Sequence, residues 1–129
     1  MSDNQKSMVK KILIIEDDEL LRGLISQKLA KEGYDIVQAV DGESGLKMTT
    51  EEKPDLVLLD ILLPGMDGFE VLRAIKADGA MLKTPVIILS NLWQKDDIDK
   101  GMKLGATDYL IKVNFATGEI LEKIKAVVK

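Results

Sequence analysis

The stretch that decides the fold is residues 55–68, which read DLVLLDILLPGMDG. The apolar run Leu56–Leu59 has the length of a buried strand, and it ends at a carboxylate, Asp60. A turn containing proline and glycine follows, and then Asp67 and Glu70 have the spacing of a helix start. This stretch therefore predicts a buried strand, a loop that begins with an acidic residue, and a helix.

The same alternation of strand and helix recurs along the chain. Further apolar runs of strand length are Ile12–Ile15, Ile36–Val40, Val86–Leu89 and Tyr109–Ile111. Amphipathic segments with helical spacing follow the runs, and their apolar residues are Leu20, Leu21, Leu24, Ile25 and Leu29; then Leu46 and Met48; Phe69, Val71, Leu72 and Ile75; Ile98 and Met102; and Ile120, Leu121, Ile124, Val127 and Val128. Strict alternation predicts a five-stranded parallel sheet with helices on both faces, a (βα)5 flavodoxin-like architecture.

Composition sets limits on the chemistry. The chain has 129 residues, the size of one domain, and 46% of them are hydrophobic, enough for a core. It contains no cysteine and no histidine, which excludes disulfides, thiolate metal sites and every serine–histidine triad. The net charge of −4 argues against a dedicated nucleic-acid or anionic-membrane binder. Chemistry must therefore come from carboxylates, lysines, hydroxyls or a hard cation.

The chain start is polar and carries no targeting signal. Residues 1–9 are predicted to form a flexible arm, and residues 10–129 the domain. No apolar run approaches the ~20 residues that a membrane span needs. We expect a cytoplasmic protein that does not contact the membrane.

Polar residues follow the predicted strands at the edge where parallel sheets bind ligands. The run Glu16–Glu19 follows the first strand, Asp60 the third, Ser90 and Asn91 the fourth, and Lys112 the fifth. Each has an ordinary interpretation on its own: a solvated acidic run, a turn or helix cap, or a surface lysine. Their order along the chain instead predicts one pocket with several carboxylates, a hydroxyl and an ammonium group.

Three carboxylates in this pocket would repel one another. Glu16, Asp17 and Asp60 raise one another's pKa if they lie close together, unless a cation compensates their charge. Carboxylates, carbonyls and water are the ligands of Mg²⁺. The pattern therefore predicts a Mg²⁺ site, with Lys112 pairing with Asp60.

The motifs together resemble the receiver domains of bacterial two-component response regulators. The segments that carry the resemblance are ILIIEDDE at 12–19, DLVLLDILLPGMDG at 55–68, PVIILS at 85–90 and GATDYLIK at 105–112. The resemblance extends over nearly the whole chain, from Lys10 to Val128. It implies that Asp60 is the phosphoacceptor, which forms an acyl phosphate.

The resemblance also implies the metal ligands. Glu16 and Asp17 are expected to form the acidic pair that holds Mg²⁺, with Asp17 and Asp60 as direct ligands. The backbone carbonyl of Leu62 is expected to be a further ligand. Glu16 replaces the more frequent aspartate, and its longer side chain is expected to reach the ion through water.

The remaining roles concern the switch. Ser90 matches the hydroxyl that turns toward the phosphoryl group, Tyr109 the aromatic ring that follows it, and Lys112 the phosphate-binding lysine. Besides Glu16, two further positions depart from the family pattern: Val113 stands where proline is usual, and Asn91 where a small residue is usual. The proline is often joined by a cis peptide bond, which is costly for valine.

By this resemblance the chain is a signalling switch and not an enzyme with a separate substrate, although it promotes its own Mg²⁺-dependent phosphorylation and dephosphorylation. A sensor histidine kinase or a histidine phosphotransfer protein supplies the phosphoryl group. The downstream target is a protein, not nucleic acid, and the domain is a monomer or a phosphorylation-dependent dimer, either stand-alone or cut from a longer regulator. The target is expected on the face of the fourth helix, fifth strand and fifth helix, with candidate residues Trp93, Ile98, Met102, Tyr109 and Ile120.

Of three alternative functions, the sequence argues against two and leaves one open. A flavin mononucleotide carrier of similar fold would need a glycine- and serine-rich phosphate loop where this chain has Glu16–Glu19. An aspartate-nucleophile phosphatase would need a second aspartate at the position of Leu62. A degenerate receiver would act as a phosphorylation-independent interaction module, which Val113 and Asn91 keep under consideration.

Overall fold

The structure is a computed structural model that describes residues 9–114 and 116–128. Of the predicted arm, residues 1–8 lie outside the described residues, as do Phe115 and Lys129 in the predicted domain. The strands are β1 (Lys11–Ile15), β2 (Asp35–Ala39), β3 (Leu56–Leu59), β4 (Val86–Ser90) and β5 (Asp108–Ile111). The helices are α1 (Glu19–Lys31), α2 (Gly42–Glu52), α3 (Gly68–Ala77), α4 (Lys95–Lys103) and α5 (Thr117–Val127).

Within the described residues, the strands form one five-stranded parallel sheet in the order β2-β1-β3-β4-β5. Alternate residues of β1 face opposite cores: Leu13 and Ile15 pack in one cluster with residues of α2 and α3, and Ile12 and Ile14 pack in the other with residues of α1 and α5. Helices therefore cover both faces, and the predicted architecture is confirmed. No helix of the described ranges is long and apolar enough to cross a membrane.

Aspartate caps begin the first three helices, each of which follows a strand of the sheet. Asp18 accepts from the N–H of Leu21, and Asp41 accepts from the N–H of Ser44. Asp67 accepts from the N–H of Glu70 at 3.0 Å, as its spacing predicted. The caps hold the connecting loops at the carboxyl edge of the sheet.

Two predictions about apolar residues are wrong. Leu20 is 74% exposed and Leu24 49% exposed, although helical spacing grouped both with Ile25 and Leu29 on one apolar face of α1. The buried stripe of α1 runs through Ile25 and Leu29, four residues apart, and Leu20 and Leu24 lie to one side of it. Ile120, expected on the partner-binding face, is 2% exposed because it points into the core beneath α5.

Gly101 of α4 is buried against strands β4 and β5. A Cβ atom added there would lie 2.7 Å from Cδ1 of Ile88 and 3.0 Å from Cδ2 of Tyr109. Glycine inside a helix costs ~1 kcal/mol against alanine, so its presence here calls for a reason. The structure adds a packing reason, because the missing side chain leaves room for the Tyr109 ring.

This contact predicts opposite effects for two helical glycines. Gly101→Ala should lower the free energy of unfolding by about 1 kcal/mol, because overpacking a core outweighs the gain in helix propensity. Gly23→Ala in α1 is the matched control, since a Cβ there meets nothing within 4 Å. It should stabilise the protein by about 1 kcal/mol. Urea unfolding of both variants measures the difference, and equal stabilisation would show that Gly101 is not needed for packing.

Candidate functional site: an acidic pocket with a lysine

The neighbouring strands β1 and β3 bring the acidic residues together. The N–H of Asp60 donates to the carbonyl of Ile15 at 3.0 Å, and the N–H of Glu16 donates to that of Ala39 at 3.0 Å. Glu16, Asp17 and Asp60 each offer a carboxylate oxygen, and these oxygens lie within 4.8 Å of one another. The predicted carboxylate cluster is therefore present.

Lys112 bridges two of these carboxylates. Its Nζ lies 2.8 Å from Oδ2 of Asp60 and 2.7 Å from Oε1 of Glu16. The side chains of both acids are 3% exposed and that of Lys112 is 16% exposed. The predicted pairing of Lys112 with Asp60 is confirmed, and Glu16 shares the same ammonium group.

The chain turns sharply after Lys112. Residues Lys112–Asn114 form a single 3₁₀ turn, and the peptide bond to Val113 is trans. The Val113 side chain is exposed. The absence of proline at this position is thus compatible with a lysine that reaches into the pocket.

The carboxylate oxygens differ in their partners. Oε2 of Glu16 accepts from the N–H of Asp18 at 3.1 Å, so both oxygens of Glu16 have donors. Oδ1 of Asp60 accepts from the N–H of Leu62 at 3.2 Å. Asp17 is exposed and forms no ion pair within residues 9–114 and 116–128. These carboxylates fit a hard divalent cation, because their ligand atoms are oxygens and one ammonium group compensates only part of their negative charge.

Burial changes the acidity of Glu16. It raises the pKa of this carboxyl to about 7; the hydrogen bond from Lys112 opposes the rise, and the negative charge of Asp60 adds to it. Burial also lowers the pKa of Lys112, but its hydrogen bonds to Asp60 and Glu16 outweigh burial, and the pKa is raised overall. Lys112 therefore stays charged at neutral pH, whereas the Glu16 carboxyl gains or loses its proton at a pH close to neutral.

The raised pKa predicts a pH dependence of stability. Between pH 4.5 and about 7 the folded protein binds more protons at Glu16 than the unfolded chain does. The free energy of unfolding should therefore fall as the pH rises through this window, by an amount on the order of 1–3 kcal/mol. Urea unfolding in EDTA at several pH values measures it, and Glu16→Gln is the control that should lose this part of the slope. An equal slope in both proteins would assign the effect to other groups.

The predicted switch residues meet at Leu92, a residue that the sequence analysis did not single out. The Ser90 hydroxyl is fully buried and accepts from the N–H of Leu92 at 3.4 Å. The Tyr109 hydroxyl donates to the carbonyl of Leu92 at 2.7 Å. Burial, together with the negative charges of Asp97 and Asp60, raises the pKa of Tyr109 to about 12, so the hydroxyl stays a donor. Ser90 and Tyr109 are thus linked through the backbone of a single residue, Leu92.

The loop after β3 is held by close backbone contacts that the sequence analysis also missed. A Cβ on Gly68 would overlap the carbonyl oxygen of Asp60, and one on Gly42 would overlap that of Met66. The N–H of Gly68 donates to the carbonyl of Ile61 at 2.9 Å. Gly68, the second glycine of the stretch GMDG, was the available sequence signal for this contact, since glycine permits such close approach of two backbone segments.

The fold and this pocket define a class of protein. The response regulator receiver domain family matches residues 12–125. The chain belongs to this family.

Individual proteins and solved structures are also similar to this chain. The chain is 38% identical over 122 residues to the alkaline phosphatase synthesis transcriptional regulatory protein PhoP of Bacillus subtilis, covering 95% of this chain and 50% of that protein. It thus spans half the length of this curated relative. Among solved structures, the receiver domain of Klebsiella pneumoniae RstA in its BeF3-activated form has a TM-score of 0.84 at 31% identity, covering 92% of this chain and 98% of that one. The Vibrio cholerae chemotaxis protein CheY4 has a TM-score of 0.85 at 27% identity, covering 92% and 98%.

Proposed function

We propose that this receiver domain is a phosphoacceptor switch of a two-component phosphorelay and that Asp60 accepts the phosphoryl group. The observation that carries the proposal is the buried Asp60 carboxylate, paired with Lys112 and lying beside Glu16 and Asp17. A nucleophilic carboxylate with an ammonium group and a cation site beside it meets the main requirements of phosphoryl transfer, which are positioning and charge neutralisation.

The transfer needs no general base, because an ionised carboxylate is already the nucleophile. An oxygen of Asp60 forms a bond to phosphorus, while the bond from phosphorus to the donor breaks and the donor keeps the electron pair. The donor is the phosphohistidine of a kinase or phosphotransfer protein, or acetyl phosphate in vitro. The ammonium group of Lys112 neutralises charge on the phosphoryl oxygens. The same neutralisation would act when water attacks phosphorus, the bond from phosphorus to the Asp60 oxygen breaks and inorganic phosphate leaves. The domain would thus promote both its own phosphorylation and its own dephosphorylation.

The cation site is assigned to four groups. Asp17 and Asp60 would hold Mg²⁺ directly with the backbone carbonyl of Leu62, and Glu16 would hold it through water. The engagement of both Glu16 oxygens by Lys112 and Asp18 supports its indirect role. Bound Mg²⁺ supplies charge neutralisation of the transferring oxygens.

The switch rests on Ser90, Leu92 and Tyr109. A phosphoryl group on Asp60 attracts the Ser90 hydroxyl as a donor, which would end its contact with the N–H of Leu92. Because Tyr109 donates to the carbonyl of the same residue, movement of Leu92 repositions the tyrosine. Phosphorylation then favours one of two arrangements of this segment.

The output surface is the face formed by α4, β5 and α5. Trp93 is 68% exposed and Met102 44% exposed, which supports a protein target with apolar surface. We propose a protein and not nucleic acid as the direct target, in keeping with the net charge of −4. The domain would act in the cytoplasm, as a monomer or as a dimer that forms on phosphorylation.

Labelling with acetyl phosphate tests the proposal. In the presence of Mg²⁺, intact-protein mass spectrometry should show one added phosphoryl group, labile in the manner of an acyl phosphate. A protein that binds Mg²⁺ but takes up no label would overturn the proposal. That result would favour the phosphorylation-independent interaction module instead.

A further inference from the structure

Arg22 lies in α1, outside the residues assigned to the pocket, yet it contacts the backbone of the pocket. Its Nη1 donates to the carbonyl oxygen of Glu16 at 2.9 Å. Its Nε donates to Oε1 of Gln38 in β2 at 2.9 Å. One guanidinium group therefore ties the loop after β1 to the neighbouring strand.

The accepting carbonyl belongs to the peptide unit that joins Glu16 to Asp17. The N–H of Glu16 is already fixed by its hydrogen bond to the carbonyl of Ala39. With the carbonyl of Glu16 fixed by Arg22, the backbone of Glu16 is held on both sides. The backbone angles of Glu16, and with them the position of the Asp17 Cα atom, are then restrained.

Such a restraint is needed because the carboxylates repel one another. The ligand oxygens of Glu16, Asp17 and Asp60 lie within 4.8 Å. Lys112 pairs with Glu16 and Asp60, but within the described ranges no cation pairs with Asp17. Rotation of the Glu16–Asp17 peptide would relieve this repulsion by moving Asp17 away, and the hydrogen bond from Arg22 opposes that rotation.

We propose that Arg22 is a positioning residue for the divalent cation, and that Gln38 orients its guanidinium group. Arg22 touches neither the cation nor the phosphoryl group in this scheme; it acts through the Glu16 carbonyl. The inference rests on the proposed function, since it assumes that the acidic cluster holds Mg²⁺.

The direction in which Mg²⁺ affinity changes when Arg22 is replaced distinguishes a positioning role from a purely electrostatic one. Loss of a positive charge near three carboxylates should by itself strengthen cation binding. Loss of the restraint should weaken it, and residues that orient metal ligands typically contribute about 10-fold or more to affinity. We therefore expect Arg22→Ala to bind Mg²⁺ about 10-fold more weakly than wild type in isothermal titration calorimetry.

Further variants isolate the contact. Gln38→Ala keeps the charge of Arg22 but removes its anchor, so it should also weaken Mg²⁺ binding, by less than Arg22→Ala does. The double variant should be no weaker than Arg22→Ala alone, because both changes remove one restraint. Arg22→Lys should recover only part of the Mg²⁺ affinity that Arg22→Ala loses, since one ammonium group does not reproduce the two hydrogen bonds of the planar guanidinium group. Lys28→Ala, an exposed positive charge on the same helix, is the matched control and should not weaken binding.

Each outcome decides one question. If Arg22→Ala binds Mg²⁺ as tightly as wild type, or more tightly, the positioning role is wrong. Unfolding without Mg²⁺ checks that the variant is folded, and if Arg22→Ala does not fold, then Gln38→Ala decides, with unchanged affinity overturning the inference. If the wild-type chain itself binds no Mg²⁺, the proposed function fails at the cation site, which is a different result.

Discussion

Asp60→Asn protein should take up no phosphoryl group from acetyl phosphate under conditions in which the wild-type chain takes up one. The amide is a far weaker nucleophile than the carboxylate, and within the described residues no other carboxylate pairs with Lys112 except Glu16. Intact-protein mass spectrometry measures the label. Asp35→Asn is the matched control, because Asp35 is an exposed aspartate at the opposite end of the sheet, and it should be labelled like wild type.

The Asp60→Asn variant should also remain folded, which makes its loss of label interpretable. The amide oxygen still accepts a hydrogen bond, either from the N–H of Leu62 or from Lys112. Removal of one charge also reduces the repulsion among three neighbouring carboxylates. Label on Asp60→Asn equal to that on wild type would show that another residue accepts the phosphoryl group.

The position of the site was predictable because parallel strands end together. Once the five apolar runs were assigned to strands, Glu16, Asp60 and Lys112 had to lie at the same edge of the sheet. Their charges then made a cation and an ion pair the expected arrangement. Asp60 could be singled out because it follows a fully buried strand.

The supporting contacts were not predictable in the same way. Arg22 reaches the Glu16 carbonyl and Tyr109 reaches the Leu92 carbonyl, and hydrogen bonds to backbone atoms leave no trace in the residue type of the acceptor. The wrong prediction for Leu20 has a different cause. Helical periodicity identifies an apolar stripe only to within about one residue step, so a leucine beside the stripe is not distinguished from one within it.

Lys112→Ala should be the most destabilising of the substitutions considered. In the absence of divalent cations it should lower the free energy of unfolding at neutral pH by about 3–5 kcal/mol, because removal of one partner leaves a buried charge uncompensated. Glu16 and Asp60, each 3% exposed, both lose their ammonium group. The loss should shrink as the pH falls, since protonation of Glu16, whose pKa burial raises to about 7, removes part of the uncompensated charge. Urea unfolding in EDTA at pH 7.5 and pH 5 measures both effects.

A second lysine provides the control for this prediction. Lys95→Ala removes an ion pair with Asp99 whose side chains are 88% and 50% exposed. Exposed pairs within a helix contribute only about 0.3–0.5 kcal/mol, so this variant should be nearly as stable as wild type. Addition of Mg²⁺ should restore part of the stability of Lys112→Ala, because the cation replaces some of the missing positive charge and stabilises the folded state by mass action. If Lys112→Ala loses no more unfolding free energy than Lys95→Ala, then water, not Lys112, compensates the two carboxylates. The pocket would then lack the excess negative charge that the proposed cation site requires.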